Sequence, residues 1–194
     1  MKKIINAEAK VKPRYICAID SSTNSLAFSI FDENKLISYG KINFAGNNVF
    51  SKVADASRKT GALLEKFNID AIVIEHSVYM NSPKTMADLA MLQGSLLGSA
   101  GRSGIRTAGA INPITWQTFI GNGKLKPEDR KKIIEDHPDK SKSFHKKLER
   151  ELRKTRTLNF VNTYYDIDVK DDDVADAIGV GHYAINNWSK IEKG

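Results

Sequence analysis

Residues 70–75 read Asp-Ala-Ile-Val-Ile-Glu. Four apolar residues stand in unbroken succession and an acid closes them. A strand with one wet face would alternate polar and apolar positions. An unbroken run suits a central parallel strand covered on both faces. Parallel strands need crossover segments, usually helices, so this short run predicts an α/β fold. It also sets Glu75 at the C-terminal end of its strand, the edge where open α/β sheets gather their chemistry. A buried strand seldom ends in an acid that has nothing to bind.

Working outward, residues 14–20 (Arg-Tyr-Ile-Cys-Ala-Ile-Asp) are again apolar and end in an acid, Asp20. Residues 25–32 and 35–43 follow as strands, with Glu33-Asn34 as a hairpin turn between them. Residues 49–67 carry Val53, Ala56, Leu63, Leu64 and Phe67 at helical spacing. Beyond Glu75, Pro83 opens a helix whose apolar side holds Met86, Leu89, Ala90, Leu92, Leu96 and Leu97. Its richness in Met, Ala, Gly and Ser suits a core helix or a dimer contact. Residues 105–111 read as a fifth strand, broken by Asn112-Pro113. A short helix over 114–120, a Gly-rich turn and a long basic region to about 156 come next. Helices over 157–166 and 172–188 close the chain. The expected architecture is a mixed five-stranded sheet flanked by helices. No repeat or linker divides residues 1–194, so a single domain with a basic insertion at about 127–156 is expected.

Composition narrows the function. The 194 residues are 41% hydrophobic and 27% charged, an ordinary globular balance. Cys17 is the only cysteine, which excludes an intrachain disulfide and a Cys-based zinc site and fits a reducing cytoplasm. No apolar stretch of signal-peptide or membrane-spanning type is present. The formal net charge is +7, and residues 140–156 alone hold eight Lys/Arg against Glu149 and Glu151, a local +6. Arg150, Arg153, Lys154 and Arg156 are expected to line one side of a helix. Such a run is either a solvated helix face or a grip on a polyanion, most simply nucleic acid.

The acids are the other half of the pattern. Residues 171–176 read Asp-Asp-Asp-Val-Ala-Asp and lead into an apolar helix with Val174, Ala177, Ile178, Gly181, Ile185 and Trp188 on its core face. Asp173 borders that face, and Asp176 lies beside it one turn on. Aspartates at a helix start cap it and complement its dipole, which accounts for one or two of Asp171–Asp173. It does not account for Asp176. If the first and fourth strands are parallel neighbours, Asp20 and Glu75 share one sheet edge. Four carboxylates converging at a core edge repel one another unless a cation neutralises them. Hard ions such as Mg²⁺ prefer oxygen ligands and phosphate substrates. Two such ions can activate water and stabilise a leaving phosphodiester oxygen.

With these residues in place, the chain resembles the RuvC-type Holliday junction resolvases, of the divergent sort found in phages. That family has an RNase H-like (retroviral integrase superfamily) fold. The resemblance spans roughly residues 14–188. Cys-Ala-Ile-Asp-Ser-Ser-Thr at 17–23 is similar to the family's first-strand motif, and Ile-Val-Ile-Glu-His at 72–76 to its second. Thr-Phe-Ile-Gly-Asn-Gly-Lys at 118–124 resembles a family turn, and Asp-Asp-Val-Ala-Asp-Ala at 172–177 the C-terminal helix motif. The resemblance implies that Asp20, Glu75, Asp173 and Asp176 bind metal, about two Mg²⁺ ions per site, with Mn²⁺ as a substitute. It implies that Tyr79 packs on bases near the crossover. Lys124 or Lys126 would contact the scissile phosphate, Lys124 being assigned to catalysis. It further implies a homodimer through the helix at about 83–101, acting on four-way DNA junctions. Location in the cytoplasm follows, the host's if the source is a phage.

Two other classes compete. The stretch around Asp20 also resembles the phosphate loop of sugar-kinase and actin-like phosphotransferases, but no second lobe or second loop is present. A non-catalytic nucleic-acid-binding protein on the same fold is the third reading, against which all four acids stand. His137 and His145 have no ligand spacing, His76 beside Glu75 reads as a surface hydrogen-bonder at a strand end, His182 as a packing or solvent-facing residue, and Trp116 as core.

Overall fold

A computed structural model describes residues 12–77 and 82–191. Its elements are β1 (Tyr15–Ser21), β2 (Ser25–Asp32), β3 (Lys35–Asn43), α1 (Val49–Lys66), β4 (Ala71–Glu75), α2 (Pro83–Arg102), β5 (Arg106–Ile111), α3 (Pro113–Phe119), α4 (Pro127–Asp136), α5 (Lys142–Tyr165) and α6 (Asp172–Ile191). The strands form one mixed sheet in the order β3-β2-β1-β4-β5. β1 runs antiparallel to β2 and parallel to β4, and β4 runs parallel to β5. The β2–β3 turn is the expected one, with Glu33 in the left-handed region at φ 55°.

The pleat divides the strands between two cores. Cys17, Ile19, Ile72 and Ile74 face one side, under Leu63 and Leu64 of α1 and Leu92 and Leu96 of α2. Ile16, Ala18, Ala71 and Val73 face the other, under α6. This two-sided burial is why β1 and β4 read as unbroken apolar runs. By the same alternation, Asp20 and Glu75 continue the face that carries α6.

Helix α6 is buried on nearly every side, from Val174 through Trp188. It can lie close to the sheet because two of its residues lack a side chain. A Cβ at Gly179 would stand 2.5 Å from the Trp116 ring, and one at Gly181 2.3 Å from Phe31. The buried Ser29 hydroxyl on β2 donates to the Ala177 carbonyl at 2.8 Å and locks the helix to its strand.

One boundary needs correcting. The helix expected over 157–166 begins fifteen residues earlier, at Lys142, inside the charged stretch. Helix α5 runs unbroken for 24 residues, and α4 packs beside it. Ser141 caps α5 by accepting from the Phe144 amide, and Lys147–Glu151 adds a pair one turn apart. Leu148 and Leu152 line a cavity of about 490 Å³ between the two helices. Two leucines in so long a charged run leave little apolar periodicity to read. No described helix is long and apolar enough to cross a membrane.

Candidate active site

Parallel pairing of Ile19 with Ile74 brings the next residues, Asp20 and Glu75, side by side at the C-terminal edge of the sheet. Gln93 of α2 ties these two strand ends together. Its amide donates to the Glu75 carbonyl at 3.2 Å and to Ser21 Oγ at 3.3 Å, while Ser77 Oγ donates to it at 2.8 Å. Helix α6 then delivers Asp176 across the same edge. One carboxylate oxygen from each of Asp20, Glu75 and Asp176 lies within 4.8 Å of the other two.

No group among the described residues neutralises this trio fully. Burial and then the Asp20 and Asp176 charges push Glu75 up to about 9. Burial and then Asp20 push Asp176 up to about 8. Burial and then Asp173 push Asp20 up to about 7. The Trp116 indole N–H approaches Glu75 and offsets part of this, short of a full hydrogen bond. Glu75 Oε2 and Trp116 Nε1 are both buried with no hydrogen-bond partner among the described residues. A buried, unpartnered carboxylate oxygen facing two further carboxylates is a donor set that fits a hard divalent cation.

The neighbouring turn of α6 is held differently. Asp171 caps the helix by accepting from the Val174 amide at 3.2 Å, as expected for one member of the run. Lys41 on β3 binds Asp171 at 2.9 Å and Asp173 at 2.6 Å. Lys154 on α5 pairs with Asp172. Asp173 therefore stands outside the close trio, paired to a lysine, although its charge still raises Asp20. Lys41 escaped the sequence reading because a lone lysine on an edge strand carries no motif. The register explains its role: Asp20 pairs with Ala27, and Ala27 pairs with Lys41, which sets the lysine in the same cross-strand row.

The expected basic residues separate. Arg150, Arg153 and Lys154 line a cleft of about 110 Å³ together with Gln117, Asn122, Thr157 and Asp176. Arg153 donates to Gln117 inside that cleft. Arg156 points elsewhere: it pairs with Asp129 at 2.8 Å and joins α5 to α4, so the four do not share one side of the helix. Lys126 stands at the N-cap position of α4, where its backbone N–H donates to Asp129 at 3.2 Å, and its ammonium approaches Glu128 at 3.8 Å. Lys124 is exposed and has no hydrogen bond or ion pair among the described residues. Tyr79 lies outside the described residues. The Gly-rich turn acts as a strut. The buried Asn122 donates to the Arg153 carbonyl at 2.7 Å and to Thr157 Oγ1 at 2.9 Å. His182 is a packing residue, bonded to Tyr165 at 2.6 Å and ringed by Phe119, Phe160 and Tyr164.

The sequence matches no family profile and no curated protein sequence. Its three-dimensional form is similar to that of solved proteins. Thermus thermophilus RuvC in complex with a Holliday junction substrate superposes with a TM-score of 0.64 at 11% identity, over 89% of this chain and 96% of that one. The chain has the RuvC fold. A second Thermus thermophilus RuvC structure gives a TM-score of 0.62 at 11% identity, over 91% of this chain and 97% of that one. The yeast mitochondrial Holliday junction resolvase Ydc2 gives 0.55 at 16% identity, over 96% of this chain and 83% of that one. Within this RuvC fold, the sheet edge described above holds Asp20, Glu75 and Asp176.

Proposed function

We propose that the protein is a metal-dependent endonuclease that cuts four-way DNA junctions, acting as a homodimer built from one such nuclease domain per chain. The observation that carries this reading is the trio of Asp20, Glu75 and Asp176 with its orphaned Glu75 Oε2. It stands in a fold shared with resolvases. Asp20, Glu75 and Asp176 would hold Mg²⁺, or Mn²⁺ in its place, with Asp173 joining once its carboxylate leaves Lys41. The bound metal would supply an activated water and charge stabilisation for phosphodiester hydrolysis. The chain's own residues do the remaining work. Trp116 and the strand ends exclude solvent behind Glu75. Gln93 keeps Asp20 and Glu75 in register. Lys154, beside Asp172 and in the cleft with Asp176, is poised to steady phosphate charge. It shares that assignment with the exposed Lys124, whose loop is free to approach DNA.

The homodimer reading draws on α2. Ala87, Ala90, Met91, Gly94, Gly98 and Gly101 form an exposed stripe along it. A Cβ at Gly94, Gly98 or Gly101 would meet nothing within 4 Å. Small residues let two helices approach closely, and a two-fold pair of sites matches a two-fold junction. The phosphotransferase reading lacks support: the described strands make one sheet, and the similar structures are resolvases. A cytoplasmic setting fits the single buried cysteine.

The test is a synthetic immobile junction and a matched linear duplex, each with Mg²⁺, Mn²⁺ or chelator. Paired nicks near the crossover that vanish with chelator are expected. Asp20→Asn and Glu75→Gln should each slow nicking by at least ~10³-fold, the size of a lost transition-state interaction of ~4 kcal/mol. Both should still bind the junction. Undiminished nicking in either variant would refute the assignment.

A further inference from the structure

We propose that the outer face of α5 is a ridge that binds the phosphates of one DNA duplex arm and guides it to the acid site. The inference rests on the nuclease reading above and names where an arm of its substrate lies. Lys142, Lys146 and Arg150 recur every four residues, and Arg153 and Lys154 continue the row on the next turn. At 100° per residue, these five positions fall within about 120° of the helix circumference. Lys142, Lys146, Arg150 and Lys154 are exposed, and Arg153 is half-buried.

The acids of the hairpin avoid this face. Glu149 pairs with Arg130 at 3.7 Å, Glu151 with Lys147 at 3.6 Å, and Asp129 with Arg156 at 2.8 Å. Lys142, Lys146 and Arg150 have no ion pair or side-chain hydrogen bond among the described residues. A helix that is merely solvated scatters its acids and bases around the axis as neighbouring pairs. Here Glu149, Glu151 and Asp129 are paired on the flanks and toward α4, Lys154 pairs with Asp172 at the site end, and Lys142, Lys146 and Arg150 are left as a row of cations facing outward.

The ridge has a direction. Its lower end, Arg150, Arg153 and Lys154, opens into the cleft that contains Asp176. Its upper end, Lys142, lies twelve residues away, or about 18 Å along the axis. That span matches about five base pairs at 3.4 Å per step of one strand. The chemistry selects the partner. Between residues 142 and 154 this arc holds Lys142, Ser143, Lys146, Arg150, Arg153 and Lys154 and no apolar side chain. A protein interface would need a buried apolar or aromatic anchor. A helix lying on a membrane would need an apolar face to insert, and the apolar face of α5, with Leu148 and Leu152, is turned to the cavity against α4. A regular row of cations, of which Lys142, Lys146 and Arg150 have no partner among the described residues, suits a regular row of phosphates.

The test is the salt dependence of binding, read on a labelled junction and on a linear duplex. The ridge variant carries Lys142→Ala and Lys146→Ala, which keep helix propensity high. A charge-matched control carries Lys35→Ala and Lys66→Ala, on β3 and α1. Loss of two phosphate contacts lowers the slope of log K against log salt by about 1.8 in magnitude. Affinity near physiological salt should fall about tenfold for the ridge variant and far less for the control. Equal affinity and slope in the two variants would overturn the ridge. The two readings fail separately. A wild-type protein that binds through the ridge but never nicks refutes the nuclease and leaves the ridge standing. One that nicks junctions with binding insensitive to Lys142 and Lys146 does the reverse. No binding of any DNA at low salt overturns both.

Discussion

Glu75 shows how a single side chain can set the pH response of the whole site. Its pKa is raised to about 9, Asp176 to about 8 and Asp20 to about 7, each first by burial and then by its neighbours. An acid with a raised folded pKa keeps its proton in the folded chain where the unfolded chain has lost it. The folded state then binds more protons, so stability falls as pH rises. The window opens near pH 4, where unfolded carboxyls ionise, and closes near pH 9. In chelator, the melting temperature should therefore drop steadily from pH 5 to pH 9. Mg²⁺ should restore more of it at pH 8 than at pH 5. Glu75→Gln should flatten the metal-free profile, raise the melting temperature at pH 8 by a few degrees, and weaken the Mg²⁺ effect. Thermal melts across that range decide the matter, and a metal-free stability that climbs with pH would contradict this electrostatic picture.

Helix α6 translates core packing into site geometry. Its first turn is gripped from both sides, by Lys41 of β3 and by Lys154 of α5. Its middle is pressed onto β2 and α3 by the missing side chains of Gly181 and Gly179. A methyl group at residue 181 would collide with Phe31 and with Ser29 Oγ, the group that bonds the Ala177 carbonyl. Gly181→Ala should cost about 1–3 kcal/mol in urea unfolding, the usual penalty for overpacking. Because Asp176 directly precedes Ala177, whose carbonyl Ser29 holds, junction nicking should fall by more than the loss of folded protein explains. A fully stable, fully active Gly181→Ala protein would show that α6 has slack that its contacts do not suggest.

The acid trio and the proposed DNA ridge lie on one side of the sheet, and the α2 stripe proposed for a second copy lies on the other. The sheet separates them: α6 and α5 cover one face, while α1 and α2 cover the other. A dimer through α2 leaves both acid clefts free. Gly98→Arg places a long charged side chain on the α2 stripe where the monomer has open space. The fold should survive it, and analytical ultracentrifugation should show a dimer-to-monomer shift of at least ~10-fold in dissociation constant. Paired nicking should give way to single nicks. Unchanged association would move the dimer contact off this helix.

Asp20 and Glu75 were legible because each ends an apolar run, and a strand covered on both faces writes itself into sequence as unbroken hydrophobicity. The hairpin at Glu33-Asn34, the α3 start at Asn112-Pro113 and the core face of α6 were legible for the same local reasons. The continuous helix from residue 142 was not, since a charged helix with few apolar positions leaves little periodic trace. Which aspartate of α6 joins the strand acids depended on where that helix lies, and hence on glycines that meet Trp116 and Phe31 from distant segments. The same holds for Lys41, for Gln93, and for the parting of Arg156 from Arg153 and Lys154. Local patterning determined the strands, most of the helices and the list of acids. Only the tertiary structure decided which charges meet, because strand register and helix seating are set by contacts between residues far apart in the chain.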